Sequence, residues 1–142
     1  MKITTQGVYG LVCVLSIAQA RNKRPISMQE ISQQEQLPID YIEQLLLKLR
    51  RSGIVKSVRG RTGGYKLSKS ATRISVKDIV EAVEGGVFEA ICLGPKQKLD
   101  KCSRAKNCLA GSVWVGLKNR VEEYLEGITI ADLLNYPSPK RL

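Results

Sequence analysis

Cys92, Cys102 and Cys108, separated by nine and then five residues, are the side chains of this sequence best suited to coordination or redox chemistry. Three thiolates so close in the chain can converge on one centre, and their softness favours zinc or an iron–sulfur cluster. Lys96, Lys98, Lys101, Arg104 and Lys106 surround them in sequence and would favour the thiolate form. No paired two-residue cysteine spacing is present, so spacing alone leaves a metal centre and three free or redox-active thiols as equal readings. Cys13 differs: it lies between Val12 and Val14 in a helical apolar pattern and reads as a small buried hydrophobe. The chain contains no histidine, which removes the usual general base and the commonest metal ligand together. A small thiol oxidoreductase would need a paired cysteine motif or a positioned base, and neither is visible. An enzyme is therefore not expected.

A second constellation is electrostatic. From Gln44 to Lys77 ten basic residues occur with no acidic one among them, in a chain whose formal net charge is +10. Such a concentration repels itself unless a polyanion neutralises it, and a phosphate backbone is the usual partner. A merely solvated basic face is the alternative for charge taken alone. An RNA- or ribosome-bound protein would be served by the same tract.

The elements that must carry these groups can be read from periodicity. Val8, Leu11, Val12, Leu15 and Ala18 recur at helical spacing in a first helix. Ser27-Met28-Gln29-Glu30 is a capping box opening a short second helix, with Ile26 and Ile31 placed as a hydrophobic staple. A third helix begins near Pro38 and stops at Gly53, with Ile42, Leu45, Leu46 and Leu49 as its buried stripe. Two short β-like runs, residues 54–58 and 65–67, flank a glycine-containing basic loop too long for a two-residue turn. Ser75 opens a fourth helix that ends at Gly85-Gly86, and periodicity then lapses until a long helix carrying Leu109, Val113, Leu117, Val121, Tyr124 and Leu125. Thr129 to Asp132 opens a last short helix. No window of 18 apolar residues exists, and the Met1-Lys2-Ile3-Thr4-Thr5-Gln6 start is neither a signal peptide nor a span. A cytoplasmic protein without membrane contact is expected.

This order predicts a mainly α fold with a small β-hairpin wing, a winged helix-turn-helix followed by a long dimerisation helix. Residues 1–86 are expected to form the DNA-binding domain, 87–108 a cysteine-containing loop, and 109–135 the dimerisation helix with its short successor. On the third helix Tyr41, Gln44, Lys48 and Arg51 should face double-stranded DNA, with Gln44 reading adenine and Lys48 and Arg51 meeting phosphates. Glu43 either selects among bases or forms a supporting ion pair with Arg50 or another neighbour. Arg59 and Arg61 should reach a minor groove from the wing, supported by Gly60, Gly63 and Gly64. The apolar stripe of the long helix predicts a homodimer, since DNA readers of this size usually span two half-sites.

Met1 to Tyr9, Tyr41-Ile42-Glu43-Gln44-Leu45, Ser57-Val58-Arg59-Gly60 and Gly63-Gly64-Tyr65 together resemble the IscR/NsrR/CymR family of bacterial regulators, the Rrf-two family. The resemblance runs from Met1 to about Asn135. It implies a homodimeric winged-helix transcription regulator, a repressor, with a sensing loop beside the dimerisation helix. Three cysteines in that loop resemble the IscR and NsrR branches, which hold an iron–sulfur cluster; the CymR branch lacks them. By this resemblance Cys92, Cys102 and Cys108 are cluster ligands, and the IscR-like character points to a 2Fe–2S cluster. IscR-like members supply a histidine three residues after the third cysteine, where this chain has Gly111. NsrR-like members use an acidic residue near the start of the partner's first helix, where this chain has Val8. Asp100, Glu89, a residue of the second subunit or an exogenous thiol are the open choices for a fourth ligand. A regulator using the same cysteines as reversible disulfides, without a cluster, is the alternative.

Overall fold

The structure is a computed structural model that describes residues 3–88, 91–93, 102–104 and 107–137. Helix α1 (Thr5–Ala18) starts where the Thr4 hydroxyl accepts from the Gln6 amide at 3.1 Å. Helix α2 (Met28–Glu35) opens on the expected capping box: Glu30 N donates to Ser27 Oγ, and Ser27 N to Glu30 Oε2. Gln36, left-handed at φ 54°, closes it. Helix α3 (Ile39–Arg51) follows Pro38 and ends before Gly53 at φ 73°. Strands β1 (Val55–Val58) and β2 (Gly64–Leu67) pair antiparallel, with Val58 opposite Gly64. Helix α4 (Val76–Glu84) has its own capping box of Ser75 and Asp78 and stops at Gly85. Helix α5 (Leu109–Glu126) is the long helix, and α6 (Ile130–Leu134) the short last one.

Periodicity puts Ile42, Leu45, Leu46 and Leu49 on one side of α3, and all four are buried there. Each contributes about 1.5–3 kcal/mol of burial. They meet Val14 and Ile17 of α1, Ile31 of α2, Ile54 and Val55, and Ile79 and Val83 of α4 in one core. Helix α1 lies close against α4 because Gly7 and Gly10 face it; a Cβ on Gly7 would stand 2.8 Å from Glu84 Oε1.

Two long-range contacts were not expected. Ile26 exchanges both backbone hydrogen bonds with Tyr65, at 3.0 and 2.8 Å, giving β2 a second neighbour and tying the hairpin to the start of α2. Ile130 is fully buried in the main core, with its amide donating to the Ile74 carbonyl at 2.9 Å. Helix α6 thus packs with the winged-helix body. Helix α5 joins that body through its C-terminal half, where Val121 and Leu125 pack on Val76, Val80 and Val87.

Candidate nucleic-acid interface and cysteine segment

The row of α3 residues expected to face DNA divides in two. Tyr41 and Lys48, seven residues apart and so on one side of the helix, both lean on α1. The Tyr41 ring stands edge-on to Tyr9 at 6.0 Å, and its hydroxyl reaches Thr5 Oγ1 at 3.4 Å. Lys48 Nζ donates to Gln6 Oε1 at 2.5 Å and to the Val83 carbonyl at 3.0 Å. Both residues are half-buried. Gln44 and Arg51, also seven apart, are exposed, as are Glu43 and Arg50. Glu43 forms none of the ion pairs found among the described residues, so the supporting bridge to Arg50 is absent there.

Leu47 completes this outward surface and was not anticipated. It is 37% exposed, between Glu43 and Gln44 on one side and Arg50 and Arg51 on the other. Its spacing of three and four residues from these neighbours is the signal that could have found it. Exposed and apolar in a charged row, it is chemically suited to a thymine methyl group.

Arg59 and Arg61 are exposed at the wing tip. The glycines beside them have different jobs. Gly60, at φ 119°, has open space where a Cβ would be. A Cβ on Gly63 would overlap the Val58 carbonyl, and one on Gly64, at φ 151°, would overlap the Ile26 carbonyl. Gly63 and Gly64 therefore allow the loop to close and Ile26 to approach, which aims the arginines without requiring the glycines to touch a ligand.

Behind α3, Glu84 gathers the N-terminus of α1. Its Oε1 accepts from Thr4 N at 2.9 Å, Thr4 Oγ1 at 2.7 Å and Gly7 N at 2.9 Å. Burial opposes ionisation of this carboxyl, but these donors and the Lys48 charge outweigh it and hold its pKa below the usual carboxylate range.

The cysteines differ in environment, and Cys13 is buried as expected. Cys13 is fully buried; burial, and then the Glu35 charge, push its thiol up to about 12. Cys92 and Cys102 are half-buried and Cys108 is exposed at the N-cap of α5, all three as free thiols. Among the described residues no three cysteine, aspartate or glutamate side chains converge as a metal-binding group. Glu89 and Asp100 lie outside the described residues, as do Lys96, Lys98, Lys101 and Lys106. Gly111 stands with its would-be Cβ 4.0 Å from Cys108 Sγ, and Val8 is 51% exposed on α1.

The N-terminal half of α5 presents Leu109, Val113 and Trp114 at 91%, 62% and 46% exposure, with Leu117 exposed below them. No helix among the described residues is long and apolar enough to cross a membrane.

Residues 3–136 match the Rrf2 family, described as iron-dependent transcriptional regulators. The chain is 34% identical over 135 residues to the HTH-type transcriptional regulator IscR of Erwinia tasmaniensis, covering 95% of this chain and 79% of that protein. It is similar in structure to CymR, the global cysteine regulator of B. subtilis, with a TM-score of 0.77, 32% identity and coverage of 97% and 99% of the two chains. It is likewise similar to T. potens IscR, with a TM-score of 0.74, 34% identity and coverage of 95% and 87%.

Proposed function

Since this chain belongs to the Rrf2 family of DNA-binding transcription regulators, which are not enzymes, we propose that it is a homodimeric repressor. In this proposal an iron–sulfur cluster of the 2Fe–2S type, held by Cys92, Cys102 and Cys108, sets its affinity for DNA. The observation that carries this reading is the set of three free thiols in the segment joining α4 to α5, beside a winged-helix body whose reading face is basic. Thiols without histidine form a soft donor set that suits an iron–sulfur cluster better than a hard cation. The fourth ligand comes from Glu89, Asp100, the second subunit or an exogenous thiol. Weak fourth ligation would suit a sensor of iron–sulfur supply or oxidative damage, because a labile cluster is readily lost.

Helix α3 enters the major groove with Gln44, Glu43, Leu47 and Arg51 toward DNA and Tyr41 at the edge of the contact. Arg59 and Arg61 reach the minor groove, their loop shaped by Gly63 and Gly64. Leu109, Val113 and Leu117 of α5 pair with the same helix of a second copy. The dimer then sets two reading helices on half-sites about one turn, roughly 34 Å, apart.

The likeness to CymR of B. subtilis and to the oxidised form of Staphylococcus aureus CymR favours a second reading. There the same cysteines form reversible disulfides and no cluster is held. Purification without oxygen separates the two. A reddish-brown protein that bleaches in air supports the cluster, whereas a colourless protein that shifts on non-reducing gels after oxidation supports the disulfide.

A further inference from the structure

Lys48 lies in the basic tract and on the helix assigned to DNA, yet its ammonium is already engaged. It donates to Gln6 of α1 and to the carbonyl of Val83 in the last turn of α4. That carbonyl is among those a helix leaves without an internal partner, and a cation at a helix C-terminus is favourably placed. Glu84, one residue on, takes three hydrogen bonds from Thr4 and Gly7. Three helices thus meet at one polar junction, where Lys48 of α3 hydrogen-bonds to both α1 and α4 and Tyr41 reaches α1 alone.

Two of the three N–H donors of Lys48 are committed to these acceptors, and swinging the side chain outward to a phosphate would strand the Val83 carbonyl in the half-buried junction. Lys48 also stands one turn from Gln44 and three residues before Arg51, so its two hydrogen bonds add a directional constraint on the rotation of α3 to that of the buried stripe. Bidentate base contacts fail steeply with angle. A helix turned by a fraction of its period would present the wrong edge of Gln44.

We propose that Lys48 is a positioning residue, fixing the rotation of the reading helix against α1 and α4 and touching no phosphate. This rests on α3 being the reading helix, as proposed above.

The test uses the full-length protein, a duplex selected from random sequence by the wild type, and an unselected duplex of equal length, each titrated over a range of salt. Lys48→Met should keep the wild-type salt slope on the unselected duplex, and its preference for the selected duplex should fall by about tenfold or more. A slope smaller by about 0.9 per subunit would make Lys48 a phosphate contact and overturn the proposal. Gln44→Ala is measured beside it. If Gln44→Ala changes the preference and Lys48→Met does not, the positioning role is wrong while α3 remains the reader. If neither changes it, α3 is not the reader and both ideas fall. Should Lys48→Met fail to fold, Gln6→Ala decides, since it loosens the same junction without removing charge. A reduced preference at unchanged slope supports the proposal, and a wild-type preference overturns it.

Discussion

Helix α3, with 13 residues, buries four large aliphatic side chains, whereas α5, with 18, buries none. Both carry an apolar stripe at helical spacing. The stripe of α3 is consumed by α1, α2 and α4, leaving the opposite side free for polar contacts. That of α5 is half used: Val121 and Leu125 pack on α4, while Leu109, Val113 and Trp114 face outward. One chain thus completes the winged-helix body but leaves the N-terminal half of α5, beside Cys108, uncovered. In the proposed function regulation acts at that incomplete end, where a cluster, an oxidant or a second subunit would change the packing without unfolding the winged-helix body.

The comparison breaks first at the cysteines. Replacing Cys92, Cys102 or Cys108 singly by Ala should abolish the visible absorbance of anaerobically purified protein. Cys13→Ala should keep the absorbance and lose about 1–2 kcal/mol in denaturant unfolding, because it removes only buried volume. A cluster retained after loss of one loop cysteine would move the ligand set elsewhere.

The reading body is challenged at its wing. Replacing Arg59 and Arg61 together by Gln should reduce the slope of log affinity against log salt by about two per subunit if both neutralise phosphates, and by less if one reads groove shape. A slope equal to that of the parent would take the wing off the DNA.

Gly64→Ala examines why the body is closed. Its Cβ would meet the Ile26 carbonyl at a backbone angle that disfavours side chains, so unfolding free energy should fall by about 2 kcal/mol or more. The same change at Gly60, where space is open, should cost less. Comparable losses at both would show that the Ile26–Tyr65 bridge is not what requires Gly64.

The smallest effect is electrostatic. Arg24 and the Ser27 amide hold Glu30 down at about 2. A carboxyl lowered on folding stabilises above its unfolded pKa, and this contribution is lost as pH falls through the folded value. The stability difference between wild type and Glu30→Gln should therefore be constant near neutrality and shrink from about pH 4.5 toward about pH 2. A difference that does not change with pH would assign the effect of Glu30 to packing.

What was legible in the sequence was chemistry that closes over three or four residues. The capping box at Ser27 forms, the helices expected to open at Ser75 and Thr129 do so, and the helix stops at Gly53 and Gly85 hold. Tyr41 and Lys48 were legible as polar residues of α3 but not as partners of α1, because helical spacing does not say which neighbour flanks the exposed face. The Ile26 bridge and the return of Ile130 to the core were hidden for the same reason, each joining segments dozens of residues apart. Cys13 was readable from its valine neighbours. The loop thiols were readable as soft donors, but what they hold depends on ligands that the local sequence does not supply.

In the proposed function the state of the cysteine end sets the affinity of the reading end, and titrating one selected operator duplex, without oxygen, against cluster-loaded and cluster-free protein decides whether it does. Two different dissociation constants are expected, and the same DNA should alter equilibrium cluster retention by the same factor. Equal affinities of the two forms for every selected duplex would contradict it.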